Sequence, residues 1–135
     1  MIKRRITYPD YNGVERTEDF YFGLTKTEIS KMEVSTEGGL VAMLQRVMDK
    51  RDGKTIMHFI ESIIHQSYGE KSLDGKKFMK KNGALADEFV ETEAYNLLFM
   101  ELISDPEAAV AFVKGILPDD MRQAVEEEEA KLAKN

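Results

Sequence analysis

Residues Thr92–Pro118 read TEAYNLLFMELISDPEAAVAFVKGILP, and their pattern decides the fold class. Thr92 stands where a helix N-cap is wanted. Asp105 caps a second helix, and Pro106 takes its first position, where a missing N–H costs nothing. The segment is therefore read as a helical hairpin. Its first arm carries Ala94, Tyr95, Leu97, Leu98, Phe99, Met100, Leu102 and Ile103, leaving Glu93, Asn96, Glu101 and Ser104 as a narrow polar strip. The second arm is drier still: Ala108, Ala109, Val110, Ala111, Phe112, Val113 and Ile116 are broken mainly by Glu107 and Lys114. So much apolar surface has to be covered by the rest of the domain, by a neighbouring subunit, or by a client.

Upstream, the cleanest amphipathic pattern runs from Thr55 to Tyr68, where Ile56, Phe59, Ile60, Ile63 and Ile64 fall on one helical face and Gly69 supplies a stop. An earlier helix, Leu40 to Lys50, repeats the spacing with Leu40, Met43, Leu44, Val47 and Met48, and Asp52 and Gly53 end it. Thr25 and Glu28 have the spacing of a capping box, with Leu24 as a hydrophobic staple, so a short helix with Ile29 and Met32 inward begins there. Ser35, Thr36, Gly38 and Gly39 break it. Between Glu70 and Gly83 the chain is polar and basic, EKSLDGKKFMKKNG, a loop whose piece around Phe78 reads equally as extended or helical. A short helix from Ala84 to Val90 leads back to the hairpin.

The N-terminus is of a different kind. Ile2, Arg4, Ile6 and Tyr8 alternate along one face, Pro9, Asp10, Asn12 and Gly13 supply a turn, and a second run follows from Val14 to Phe22. A lone two-stranded ribbon is marginal in water, so the cluster Phe20, Tyr21, Phe22 is expected to lie on the helices or against another copy. After Pro118 the composition turns acidic, with Glu126–Glu129 dominating the helical spacing of Met121, Val125 and Leu132. The expected architecture is mainly α (α+β). A single domain covers 1–118, with a β-hairpin at 1–23 and a small helical bundle at 24–118, and 119–135 is a solvated, mobile helical tail.

Composition bounds the function classes. A chain of 135 residues is long enough for a real core. The absence of cysteine removes thiol catalysis and thiolate metal sites, and fits a reducing compartment. The opening MIKRRITYPDY has charge but no apolar run, unlike a signal peptide, and no segment approaches the roughly 20 apolar residues of a membrane span. A formal charge of −6 argues against nucleic acid as a partner.

Candidate chemistry is sparse. His58, Glu61 and His65 share one side of a helix and are of metal-ligating types, but they match neither HExxH nor HxxEH, and a polar edge beside the isoleucine face is the plainer reading. Lys71, Lys76, Lys77, Lys80 and Lys81 surround Phe78 and Met79 as a solvated loop, or as a patch for an acidic neighbour. Gly38-Gly39 lacks a phosphate-loop pattern, Asp119 and Asp120 suffice as a helix start, and no serine sits in a nucleophile elbow. No catalytic residue, metal or cofactor is expected. Methionine is plentiful at 32, 43, 48, 57, 79, 100 and 121, filling a core or, where outward, lining a surface for varied apolar partners.

The stretches EDFYFGLTKTEISKMEVS, GGLVAMLQRVMD, SYGEKSLDGKKF and TEAYNLLFMELISDPEAAVAFVKGILP, in that order between Glu18 and Pro118, resemble the tail assembly chaperones of long-tailed bacteriophages. The resemblance implies a non-enzymatic protein of the host cytoplasm that associates with itself and coats the tape measure protein. Tail tube subunits later displace it, and it is absent from the finished virion. Such families often make a longer form by frameshifting, and Ala133-Lys134-Asn135 is compatible with an A-rich slippery run. On this reading Met43, Met48, Leu98, Met100, Leu102, Val110 and Phe112 line client grooves, while Phe20, Phe22, Lys76, Lys77 and Phe78 join subunits. The alternative within phage particles is a head–tail adaptor or tail terminator ring.

Overall fold

The computed structural model describes residues 1–133; Lys134 and Asn135 of the slippery-run expectation lie outside them. Strands β1 (Ile2–Pro9) and β2 (Glu15–Phe22) form the N-terminal hairpin, in register from Ile2 opposite Phe22 to Pro9 opposite Glu15. Its turn closes because Asp10 Oδ1 accepts from the backbone N–H groups of Asn12 and Val14 at 2.9 and 3.0 Å. Alternation along β1 puts Ile2, Arg4, Ile6 and Tyr8 toward the helices and Lys3, Arg5 and Thr7 toward water.

The hairpin is not left as a ribbon. Tyr68–Lys71 forms β3, pairing Tyr21 with Gly69 and Phe22 with Tyr68, and Phe78–Met79 forms β4 against it. The sheet order is β1-β2-β3-β4, antiparallel throughout. The open reading around Phe78 thus resolves as strand. Gly69, expected as a helix stop, instead lies inside β3, where a Cβ would meet the Phe78 ring at 2.8 Å and the Met79 carbonyl oxygen at 2.9 Å. The glycine is there for close approach.

Seven helices complete the described residues: α1 (Lys26–Ser35), α2 (Gly39–Asp49), α3 (Gly53–Ser67), α4 (Ala84–Phe89), α5 (Glu93–Ser104), α6 (Pro106–Ile116) and α7 (Asp119–Ala133), with a 3-10 turn at Lys81–Gly83. The expected caps form. Thr25 and Glu28 make the reciprocal capping box, Thr92 accepts from the Tyr95 N–H, and Asp105 accepts from both Glu107 and Ala108. Asp52 acts differently from expectation: it opens α3 by accepting from the Thr55 N–H, while Lys50, in the left-handed region at φ 55°, ends α2.

The core lies between the sheet and α2, α3, α5 and α6. It holds the isoleucine face of α3, Leu40, Met43, Leu44 and Val47 of α2, Leu98 and Leu102 of α5, and Ala109, Phe112, Val113 and Ile116 of α6. An aromatic seam fastens the sheet to this bundle. Phe22 packs edge-on against Phe112 at 5.3 Å and against Phe89 at 5.7 Å, and Tyr68 stacks on Phe89 at 4.4 Å. Helix α7 is no detached tail: Met121 and Val125 pack against the core.

Candidate functional site

The long α3–α5 contact leaves two clefts in line on its outer side. One, of about 330 Å³, is lined by Val47, Ile56 and Met57 on one wall and by Leu102, Ile103 and Pro106 on the other. The second, about 470 Å³ and more open, is lined by His58, Glu61, Ser62 and His65 of α3 with Val90 and Tyr95. Met57 faces Ile103 while His65 lies toward Tyr95, so the two helices run antiparallel. From Met57 to His65 the groove follows about 12 Å of helix.

The apolar end has a specific origin in sequence. Met57 falls off the Ile56, Phe59, Ile60, Ile63, Ile64 stripe, so α3 turns it outward, and it is 45% exposed. On α5 the buried face is Ala94, Leu98 and Leu102. Leu97, Met100 and Ile103, spaced by three, continue away from the cleft as a second stripe, with Leu97 42% and Met100 56% exposed. Tyr95 and Phe99 stack at 6.0 Å beside it. Burial pushes the Tyr95 hydroxyl pKa up, and the Glu61 carboxylate adds to the effect, so the phenol stays neutral and available as a donor.

The seven side chains proposed from sequence as a client groove do not share one surface. Leu98, Leu102, Phe112 and Met43 are core residues, at most 5% exposed, and this burial withdraws them from any partner except where Leu102 floors the first cleft. Val110 is half-buried. Met48 is exposed but sits beside Gln45, Asp49 and Glu129, away from the α3–α5 groove. Met100 alone of the seven lies outward next to the groove. Met57 and Ile103 line the first cleft and Leu97 lies on the exposed stripe beyond it, none of them singled out by the sequence reading; for Met57 the signal is its misfit to the helix's own apolar stripe.

The proposed subunit contacts also divide. Phe22 is fully buried in the aromatic seam, which corrects its assignment to an interface. Phe20 is half-buried between Tyr8, Tyr68 and Phe89. Lys76 and Lys77 are exposed at the β3–β4 turn, which is held by Ser72 and Asp74, and Phe78 is half-buried over Gly69.

Lys80 leaves the solvated-loop description altogether. Its ammonium donates to the Gly23 and Gln66 carbonyls at 2.9 and 2.7 Å and to the Glu28 carboxylate at 2.8 Å. Asp119 and Asp120 are helix-start residues, paired with Arg122 and Lys26. In the second cleft, His65 Nε2 lies 2.7 Å from Asp87 Oδ1, and among the described residues no three His, Asp or Glu side chains converge as a metal site. Nor is any described helix long and apolar enough to cross a membrane.

A search of curated proteins and one of solved structures returned no match. The sequence profile described as "Phage tail assembly chaperone" matches residues 1–135, the whole chain. The chain belongs to the phage tail assembly chaperone family.

Proposed function

We propose that this chaperone binds the tape measure protein, holding its long amphipathic helix in solution until tail tube subunits polymerise around it. The observation that carries the reading is the apolar cleft of Met57 and Ile103 running into the Leu97–Met100 stripe. Its shape suits helix-in-groove recognition, in which a few apolar anchors spaced by three and four residues enter one trough. Methionine at the rim tolerates anchors of different shapes, which a long client presents along its length. Copies associate with one another, act in the host cytoplasm, and leave before the virion is complete. Tail tube protein is the partner that displaces them.

Co-expression tests the reading. Tape measure protein made alone should pellet and should stay soluble with the wild-type chain; Met57→Asp and Ile103→Asp should each return most of it to the pellet while the variants themselves remain folded by circular dichroism. Full client solubility with both variants would overturn it.

A further inference from the structure

The β3–β4 turn carries an apolar side chain that its own fold leaves bare. Leu73 is 109% exposed, the highest value of any large hydrophobic side chain among the described residues. The turn beneath it is firmly built. The Ser72 N–H donates to the Lys77 carbonyl at 2.9 Å and the Gly75 N–H to the Ser72 carbonyl at 2.9 Å, while Asp74 Oδ1 accepts from the Ser72 hydroxyl at 2.7 Å and the Lys76 N–H at 3.0 Å. None of these bonds uses the side chain at 73. Lys71, Lys76 and Lys77, all exposed, flank the leucine in the chain, and the one carboxylate among them, Asp74, is engaged inside the turn. A second feature is complementary to this knob. With α7 seated as observed, a cleft of about 340 Å³ stays open between α7 and the body, its walls formed by Ile29, Leu40, Val41, Leu117, Met121 and Val125. Glu33 and Glu128 complete its lining, no lysine or arginine takes part in it, and Glu126 and Glu127 stand exposed on the same helix.

We propose that the occupant of this cleft is the β3–β4 turn of a second copy, with Leu73 inserted between α1, α2 and α7 and the flanking lysines lying over Glu33 and the α7 glutamates. A single exposed apolar residue is ordinary on a protein surface. What selects a partner for this one is charge. The other apolar cleft, at Met57 and Ile103, has Lys50 in its wall and no carboxylate, so a knob ringed by lysines is disfavoured there and favoured at the acidic rim. The hydrogen-bonded turn also holds the leucine in place before contact, so little chain freedom is lost on docking. Because knob and cleft are different surfaces, the contact can pass from copy to copy and build a ring or a filament. Its ionic part lies at an exposed rim and weakens with added salt. The inference rests on the self-association proposed above, not on client binding, and supplies its interface.

Light scattering against protein concentration tests the contact with two variants. Leu73→Asp removes the knob, and Ala124→Arg puts a long cation into the cleft from an exposed position on α7. Each should move the association midpoint to at least about tenfold higher concentration, with circular dichroism unchanged. Each variant keeps the half that the other lacks, so the two mixed should associate again and stop at dimers. Lys76→Glu with Lys77→Glu is a second knob variant that leaves Leu73 in place, and it should lose association in the same way. The chain has no cysteine, so Leu73→Cys in one chain and Ala124→Cys in another report without background, and their oxidised mixture should give a covalent dimer on a non-reducing gel. If the variants associate as the wild type does and the mixed thiols stay uncrosslinked, the contact is overturned while self-association stands. A wild-type monomer at every concentration removes both. Ala124→Arg that leaves association untouched but sends co-expressed tape measure protein to the pellet would make the cleft a client site and overturn the proposal.

Discussion

Lys80→Met removes the cation on which three segments converge. The ammonium bonds the carbonyl of Gly23 at the end of the hairpin, the carbonyl of Gln66 near the end of α3, and the carboxylate of Glu28 in the first turn of α1. The two charged side chains are 19% and 30% exposed, intermediate between a surface pair and a buried one. Exposed pairs contribute about 0–1 kcal/mol, and breaking a buried pair costs about 3–5 kcal/mol. With two carbonyls also losing an ionic donor, the expected loss is about 2 kcal/mol, or about 6–8 °C in Tm for a chain of this length. Burial pushes the Glu28 carboxyl up, but the Lys80 ammonium and the Thr25 N–H outweigh it and hold it below its ordinary 4.5. A depressed carboxyl contributes stability above its unfolded pKa and loses it as pH falls through the folded one. The wild-type advantage over the variant should therefore be constant from pH 7 to about 5 and shrink below about 4.5. Urea denaturation at pH 7 and pH 3 measures both. A loss under about 0.5 kcal/mol at pH 7, or a difference unchanged at pH 3, would refute the reasoning.

Two further substitutions probe single contacts. Gly69→Ala places a methyl 2.9 Å from the Met79 backbone oxygen, which cannot swing aside as a side chain can, so β3 and β4 must part; the expected cost is about 1–3 kcal/mol, read as a lower urea midpoint at an unchanged slope. Asp105→Ala removes the acceptor of two N–H bonds at 3.0 and 3.3 Å at the start of α6, and should cost about 1 kcal/mol by thermal melting, most of it recovered in Asp105→Asn.

What the sequence disclosed, and what it hid, follows from the range of each interaction. Caps and stripes are local, and Thr25, Thr92, Asp105 and the α3 isoleucines behave as their spacing requires. Strands β3 and β4 were hidden because four residues after a helix carry no period of their own; Tyr68–Lys71 is a strand only because β2 lies beside it. Lys80 looked like its neighbours Lys76 and Lys77, and its partners at Gly23 and Glu28 lie more than fifty residues away. Asp52 was ambiguous for another reason: an acidic residue between two helices serves to end one or begin the next, and only the bond to the Thr55 N–H decides. Which apolar side chains face outward was hidden because apolar character alone does not say which way a side chain points. On α5 nearly every turn is apolar, so Leu98 and Met100 looked equivalent until packing put one in and one out.

That last division limits how the groove can work. Met57, Leu97 and Met100 are 45%, 42% and 56% exposed, and together they offer roughly 300 Å², a patch of the size an ordinary monomer carries. At about 25 cal/mol per Å², and with a like area on the client, the gross gain is about 15 kcal/mol, against about 4–15 kcal/mol for association before any side chain is ordered. One groove should therefore hold one helical anchor only at micromolar to millimolar strength. On the proposed function, retention of a long helical client would come from many grooves acting on one chain, where linkage raises affinity by about 10²–10⁴ without new contacts. Each contact would then stay weak enough for the proposed displacement by tail tube subunits. Affinity measured against synthetic client fragments should be barely detectable for one anchor and should climb steeply with each added anchor, at least a hundredfold from the shortest to the longest. A single-anchor peptide that binds as tightly as the whole client would show that one groove suffices, and the multivalent account would be wrong.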